Sequence, residues 1–357
     1  MEFFDFYGEN EDDFQRKFGA QSVKVSGDHY EKDPLVTVII TTYKRPALLK
    51  EALDSALNQV GFEDYQIIIA DNEGEDISVE TETSTLIKNY DSKKIVYYRH
   101  PKTVSFKMDN AVRLCRSRYI VFLHDDDILE SHHLKVMTSI AQRYPKARFI
   151  SCPSVDFIDG ERSVKDSNIS IFRYKIRRCG KAANCLGYYP GWLGALIDRE
   201  AYISTGGMPT MRNNIGDFCM VQKMHYRYSI HEVISDSPIY YHRVWNGQAS
   251  SSGNDVWTDL YKNEYHYFQY VNRKLHPLTY MFWDRVSAYR ILDKAREMNR
   301  GEYRYDIDLM QLVEKSKMSD NSLYRNMEYK KDISKKQLYE TIIWKYLIRE
   351  REEKICL

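Results

Sequence analysis

Asp125, Asp126 and Asp127 stand in a row, directly after the apolar run Tyr119-Ile120-Val121-Phe122-Leu123 and His124. Carboxylates crowded at the end of a buried strand repel one another and resist burial. A hard divalent cation relieves both problems, and Mg²⁺ typically takes one or two protein carboxylates together with substrate phosphates. Such an ion, bridging a diphosphate, stabilises the charge that builds on a departing nucleotide. The plainer alternative is a solvated acidic loop in which Asp127 caps the segment that follows.

Two further polar groups occupy comparable places. Thr41-Thr42-Tyr43-Lys44-Arg45 follows the β-branched run Val36-Thr37-Val38-Ile39-Ile40, and Asp71 closes Gln66-Ile67-Ile68-Ile69-Ala70. Both runs read as buried strands, as do Lys94–Tyr98 and Tyr119–Leu123. Helical patterns lie between them. Pro46 suits a first helical turn, and Leu48, Leu49, Ala52, Leu53, Ala56 and Leu57 recur at helical spacing. A second helix is expected near Lys107–Cys115, and a third carries Leu134, Met137, Ile140 and Tyr144 before Pro145. Apolar strands alternating with helices predict an α/β fold with a mostly parallel sheet covered on both faces. Ligands in such sheets bind beyond the carboxyl ends of the strands. Thr41–Arg45, Asp71 and Asp125–Asp127 therefore converge on one sheet edge.

Composition sets the frame around that edge. The chain has 357 residues, enough for about two domains. Its 52 Lys and Arg balance 51 Asp and Glu, so it lacks the basic excess of a dedicated nucleic-acid binder. Six scattered cysteines with no CxxC pair fit neither a disulfide framework nor a zinc site, and point to a reducing compartment. The acidic start Met1-Glu2-Phe3-Phe4-Asp5 is unlike a secretory leader, and no apolar run reaches the roughly 18 residues of a membrane span. A cytoplasmic protein is expected. Residues 1–33 read as an N-terminal extension and residues 34–253 as the main domain. Residues 254–357 read as a C-terminal helical region, where Gly and Pro nearly vanish.

The ordered set of motifs from about residue 34 to 130 resembles the bacterial family 2 glycosyltransferases. The resemblance rests on Val38–Gln59, Ile69-Ala70-Asp71-Asn72, Lys107–Ala111 and Tyr119–Leu129. It implies a GT-A fold, a nucleotide-sugar donor (a UDP-sugar foremost), bound Mn²⁺ or Mg²⁺, and inversion at the anomeric carbon. It implies hexosyl or N-acetylhexosaminyl transfer to a glycan, lipid-linked or protein-linked acceptor. Synthesis of a surface polysaccharide or glycoprotein glycan is the corresponding role. By position, Thr41, Tyr43 and Arg45 would border the nucleotide, and Asp71 would accept from the base ring. Lys107 would face the diphosphate, unless it is an ordinary surface lysine. The family commonly reads Asp-x-Asp-Asp where this chain has His124-Asp125-Asp126-Asp127. That register makes Asp126 the metal ligand, with Asp127 beside it and Asp125 near the ribose; the alternative register pairs Asp125 with Asp127.

The acceptor side of the pattern is also visible. Gly191–Tyr202 and Thr205–Met208 resemble the segment that opens it, and Gly216-Asp217 stands where the family has Glu-Asp. Asp217 would then be the general base that takes the acceptor proton; a helix-capping aspartate fits the sequence equally well. In the closing motif, Trp245 holds the position of a usual metal-binding His, which His242 would have to replace. Trp192 and Trp245 are candidates to stack on sugar rings, with core packing the alternative. His124, Gly216 and Trp245 depart from the pattern and keep a nucleotide- or glycan-binding pseudoenzyme in contention. A nucleotidyltransferase would want a Gly-rich phosphate loop, and Thr41–Arg45 has no glycine. The C-terminal region interleaves Trp344 and aliphatic residues with lysines and arginines. It reads as a homo-oligomer surface, in preference to peripheral contact with anionic lipid at the inner face of the membrane. Packing onto its own domain is the third option.

Overall fold

The computed structural model describes residues 11–16, 22–74, 76, 78–100, 107–158, 170–180, 190–208, 216–245, 273, 277–278 and 348–357. The first half runs α1 (Glu11–Arg16), β1 (Val23–Ser26), β2 (Val36–Thr42), α2 (Pro46–Leu57), β3 (Tyr65–Asp71), α3 (Glu82–Lys88), β4 (Ile95–Arg99), α4 (Lys107–Leu114) and β5 (Tyr119–His124). It continues with β6 (Ile128–Leu129), α5 (His133–Arg143), β7 (Phe149–Ser151), β8 (Ser154–Phe157), β9 (Ile171–Cys179) and β10 (Leu196–Asp198). The last elements are α6 (Arg199–Ser204), α7 (Gly216–Arg227), β11 (Ile230–Ile234), β12 (Tyr240–Arg243) and β13 (Ile348–Cys356).

One sheet of ten strands, in the order β1-β4-β3-β2-β5-β10-β7-β11-β9-β13, forms the spine. Its β4-β3-β2-β5 segment is wholly parallel, as expected from the strand–helix alternation. Beyond β5 the sheet is mixed: β10 pairs antiparallel with β5 and β7, and β11 returns parallel to β7. Every residue of β2, β3 and β4 is buried, because helices cover both faces. Val38, Ile40, Ile67 and Ile69 face one apolar layer together with Leu49 and Leu53 of α2 and Met137 and Ile140 of α5. Ile39, Ile68 and Phe122 face the other, with Val112 of α4, Tyr202 of α6 and Met220 and Met224 of α7. A small second sheet, β6-β12-β8, lies beside the end of β5.

Two expectations need correction. The described part of the N-terminal extension belongs to the domain. Phe14 of α1 is fully buried edge-on to Tyr202, and β1 pairs antiparallel with β4. Most of residues 254–347 lies outside the described residues, so the helical expectation there is not met or refused. Residues 348–356, however, are a strand: β13 pairs antiparallel with β9 along its whole length. Glu353 explains part of that docking, accepting from Tyr144 Oη at 2.5 Å, Tyr174 Oη at 2.8 Å and Arg143 Nη1 at 3.2 Å. Among the described residues no helix is long and apolar enough to cross a membrane, and the described cysteines form no disulfide with one another.

Candidate active site

The carboxyl ends of β2, β3 and β5 sit side by side. Thr41 is opposite Ala70 and His124, and Thr42 is opposite Asp71. Lys44 then adopts a positive φ of 54°, a left-handed turn that is uncommon for a residue with a side chain. The next residue, Arg45, reaches over the acidic run. Its Nη2 lies 2.6 Å from Asp125 Oδ1 and its Nη1 lies 3.1 Å from Asp126 Oδ2.

Each aspartate has a different set of partners. Asp125 accepts from Thr42 Oγ1 at 2.7 Å and Arg45 Nε at 3.2 Å. Asp126 Oδ2 also accepts from Trp245 Nε1 at 3.0 Å. Asp127 accepts from Tyr240 Oη at 2.5 Å and from the Arg243 backbone N–H at 2.9 Å. Burial pushes the Asp127 carboxyl up to about 6, against the opposing pull of these two hydrogen bonds. Arg243 Nε donates to the Asp126 carbonyl at 2.7 Å and its Nη2 to Glu51 at 2.7 Å, which fixes β12 against the run.

His124, Asp126 and Asp127 each offer a ligand atom, and these atoms lie within 4.8 Å of one another. Two carboxylates and an imidazole suit a small divalent cation such as Mn²⁺ or Mg²⁺. The donor set therefore fits the expected metal, with His124 as the imidazole. His242 is turned to Asp156 instead, Nδ1 to Oδ1 at 2.9 Å, and is not part of this cluster.

Asp71 is fully buried, and burial pushes its carboxyl up to about 6. Tyr97 Oη donates to it at 2.6 Å and the Glu73 backbone N–H at 3.0 Å. Beside it, Asn72 Oδ1 and Glu73 Oε2 are out of water and have no hydrogen-bond donor among the described residues. Buried acceptors without donors are costly, and N–H or O–H groups of a ligand would satisfy them.

Asp217 lies in the first turn of α7, where a carboxylate is favoured by the helix dipole. Its Oδ2 accepts from Trp192 Nε1 at 3.1 Å. Trp192 is only 6% exposed and packs edge-on against both Phe122 and His124, at 5.5 Å between ring centroids in each case.

Residues 37–204 match the model of glycosyl transferase family 2. This segment is a family 2 glycosyltransferase domain. Among solved structures, Staphylococcus aureus TarS residues 1–349 in complex with UDP-GlcNAc superposes on the chain with a TM-score of 0.53 at 15% identity. The match covers 71% of this chain and 70% of that one. It establishes the GT-A fold. Among curated proteins, the chain is 28% identical over 149 residues to the GalNAc(5)-diNAcBac-PP-undecaprenol beta-1,3-glucosyltransferase of Campylobacter jejuni. That match covers 38% of this chain and 46% of the relative. It is also 24% identical over 135 residues to the uncharacterized protein y4gI of Sinorhizobium fredii, covering 36% and 14%. The chain thus spans less than half the length of these curated relatives.

The sheet edge brings together Arg45, Asp125, Asp126, Asp127 and Trp245 in one bonded cluster, with Trp192 and Asp217 alongside. Thr41 is buried at the strand end, but the hydroxyl on Asp125 is that of Thr42. Tyr43 is 44% exposed beside them, with the Lys44 ammonium 5.5 Å from its ring. Lys107 is the first residue of α4, and its side chain lies outside the described residues. Trp192, a candidate for sugar stacking or for core packing, is buried and meets Phe122 and His124 edge-on. Three participants escaped the sequence reading. Thr42 lies in the Thr41–Arg45 run without being singled out, Tyr240 carries no motif of its own, and His124 stands in the sequence only as a departure from the family pattern.

Proposed function

We propose that this chain is an inverting glycosyltransferase that moves a sugar from a UDP-sugar to a glycan, lipid-linked or protein-linked acceptor. One observation carries the reading: a cation-compatible His-Asp-Asp cluster, a buried carboxylate beside unpartnered acceptors, and a second carboxylate on α7 share one sheet edge. Asp71 accepts the imide N–H of uracil, and the acceptors on Asn72 and Glu73 take further donors from the nucleoside. Thr41, Tyr43, Arg45 and Lys107 border the nucleotide and its diphosphate, and Asp125 lies near the ribose. His124, Asp126 and Asp127 would hold the cation, which would offset charge on the leaving diphosphate. Asp217 accepts the proton of the acceptor hydroxyl as its oxygen attacks the anomeric carbon; the bond to UDP breaks on the opposite side, inverting that carbon. The UDP-GlcNAc held by TarS and the glucosyltransferase name of the Campylobacter relative favour a UDP-sugar. A cytoplasmic site of action and a role in surface polysaccharide or glycoprotein glycan synthesis belong to the same reading.

A second reading, a nucleotide-binding pseudoenzyme, draws on Arg45 and Trp245. Both donate to Asp126 Oδ2, as they would where protein donors had replaced a cation. Release of UDP from UDP-Glc, UDP-Gal, UDP-GlcNAc and UDP-GalNAc, with and without Mn²⁺, separates the two. An enzyme releases UDP from at least one donor in a cation-dependent way. Tight UDP binding without release from any of the four would favour the pseudoenzyme.

A further inference from the structure

Trp192 lies in a turn that is pinned to the metal-side strand. Gly194 N donates to the Phe122 carbonyl at 3.1 Å, and Ala195 N closes the turn onto the Trp192 carbonyl at 3.1 Å. The indole packs edge-to-face with Phe122 and His124, both on β5. Its N–H points the other way, to Asp217 at the start of α7. Two residues on, Gly194 packs against the ring of Tyr240, whose hydroxyl holds Asp127. A single turn therefore touches both functional carboxylates, one directly and one through Tyr240.

An indole N–H is a donor only, so its partner must be an acceptor. A carboxylate in the first turn of a helix has several staggered rotamers open to it, and one fixed donor selects among them. We propose that Trp192 is the positioning residue for Asp217, holding its carboxylate at a set distance from the end of β5 where the donor's reacting carbon must lie. The proposal rests on the reading of Asp217 as the base. It gives the buried tryptophan a role in transfer without contact to any sugar. A packing role alone would make the N–H contact incidental, with Asp217 present only to satisfy a buried indole.

The test compares Trp192→Phe, Trp192→His and Asp217→Asn in the full chain, reading transfer kcat, donor KM and melting temperature. Phenylalanine keeps a ring against Phe122 and His124 but removes the N–H. Its kcat should fall about 10- to 100-fold, the scale of a base misplaced by about 1 Å. Donor KM should stay within about twofold, since only the transfer step is touched. Adding Trp192→Phe to Asp217→Asn should cost nothing further, because both act through one group. Trp192→His restores a ring N–H and should regain part of the kcat; it carries the comparison if the phenylalanine variant does not fold. Wild-type kcat in Trp192→Phe, with Asp217→Asn inactive, would overturn the positioning role and leave the base standing. Wild-type transfer by Asp217→Asn would overturn the base itself. A donor KM that rises in step with the loss of kcat would assign Trp192 to donor binding and also overturn the proposal.

Discussion

Tyr240 on β12 donates its phenolic hydroxyl to Asp127 Oδ2 at 2.5 Å, tying the small second sheet to the end of β5. Both residues are fully buried. The bond favours the ionised carboxylate against the pull of burial, so it helps keep Asp127 available to a cation. Tyr240→Phe should cost about 1–3 kcal/mol of stability, because a buried acceptor loses its donor. It should also weaken Mn²⁺ binding, since Asp127 then gives up its proton less readily. Denaturant unfolding and Mn²⁺ titration followed by electron paramagnetic resonance check the two effects. Unchanged values in both would remove Tyr240 from the account.

Gly194 carries the turn beneath Tyr240. Its φ is +67°, and a Cβ there would collide with the Tyr240 ring and lie 2.8 Å from Cys152 Sγ. Gly194→Ala therefore combines backbone strain with a clash in packed surroundings, and should cost at least about 2 kcal/mol. Gly191→Ala is the control. A Cβ at Gly191 meets nothing within 4 Å among the described residues, so its stability should stay within about 0.5 kcal/mol of wild type. Equal melting curves for the two variants would contradict this account of the turn.

Asp71 sets a pH dependence. Its folded carboxyl titrates at about 6 rather than near the ordinary 3.8, because it is buried. A proton on Asp71 abolishes the charge that receives the base N–H, so affinity is full above that value and falls as pH drops through it. Uridine binding should be about tenfold weaker at pH 5 than at pH 7, and uridine carries no phosphate to titrate. The sign for stability is the opposite. Between about 4 and 6 the folded chain holds a proton that the unfolded chain has lost, so this group's contribution to stability falls as pH rises through that window. Calorimetry with uridine across the range is the check, and a flat profile would take Asp71 out of the base site.

Deleting residues 348–357 should destabilise the ten-stranded sheet. It removes buried Ile355, strips β9 of one of its two partners, and takes Glu353 from Tyr144, Tyr174 and Arg143. The loss of one buried aliphatic side chain alone is worth about 2 kcal/mol. A fall in melting temperature of at least about 5 °C is expected, or failure to fold. An unchanged melting temperature would mean that β13 is dispensable.

The parallel core and the acidic run were readable from sequence because burial on both faces leaves plain apolar strands. β2, β3 and β5 need no partner information to be recognised. The same double burial hides which threonine reaches the acidic run: with no alternation along β2, Thr41 and Thr42 look equivalent, and only the hydrogen bond from Thr42 Oγ1 to Asp125 separates them. β13 was misread for another reason. Ile348-Arg-Glu-Arg-Glu-Glu-Lys-Ile-Cys356 is rich in helix formers, and its pairing with β9 overrides that preference. Trp192 is legible as a candidate, but its hydrogen bond to Asp217, 25 positions away, is not.

The central claim is that a cation held by the acidic run drives departure of the nucleotide. The most direct measurement is UDP release from the best donor, in Mn²⁺ and in excess chelator, for wild type and Asp126→Ala. The account predicts release by wild type in Mn²⁺, loss of that release in chelator, and little release by Asp126→Ala in either. Undiminished release in excess chelator, or wild-type release by Asp126→Ala, would contradict it.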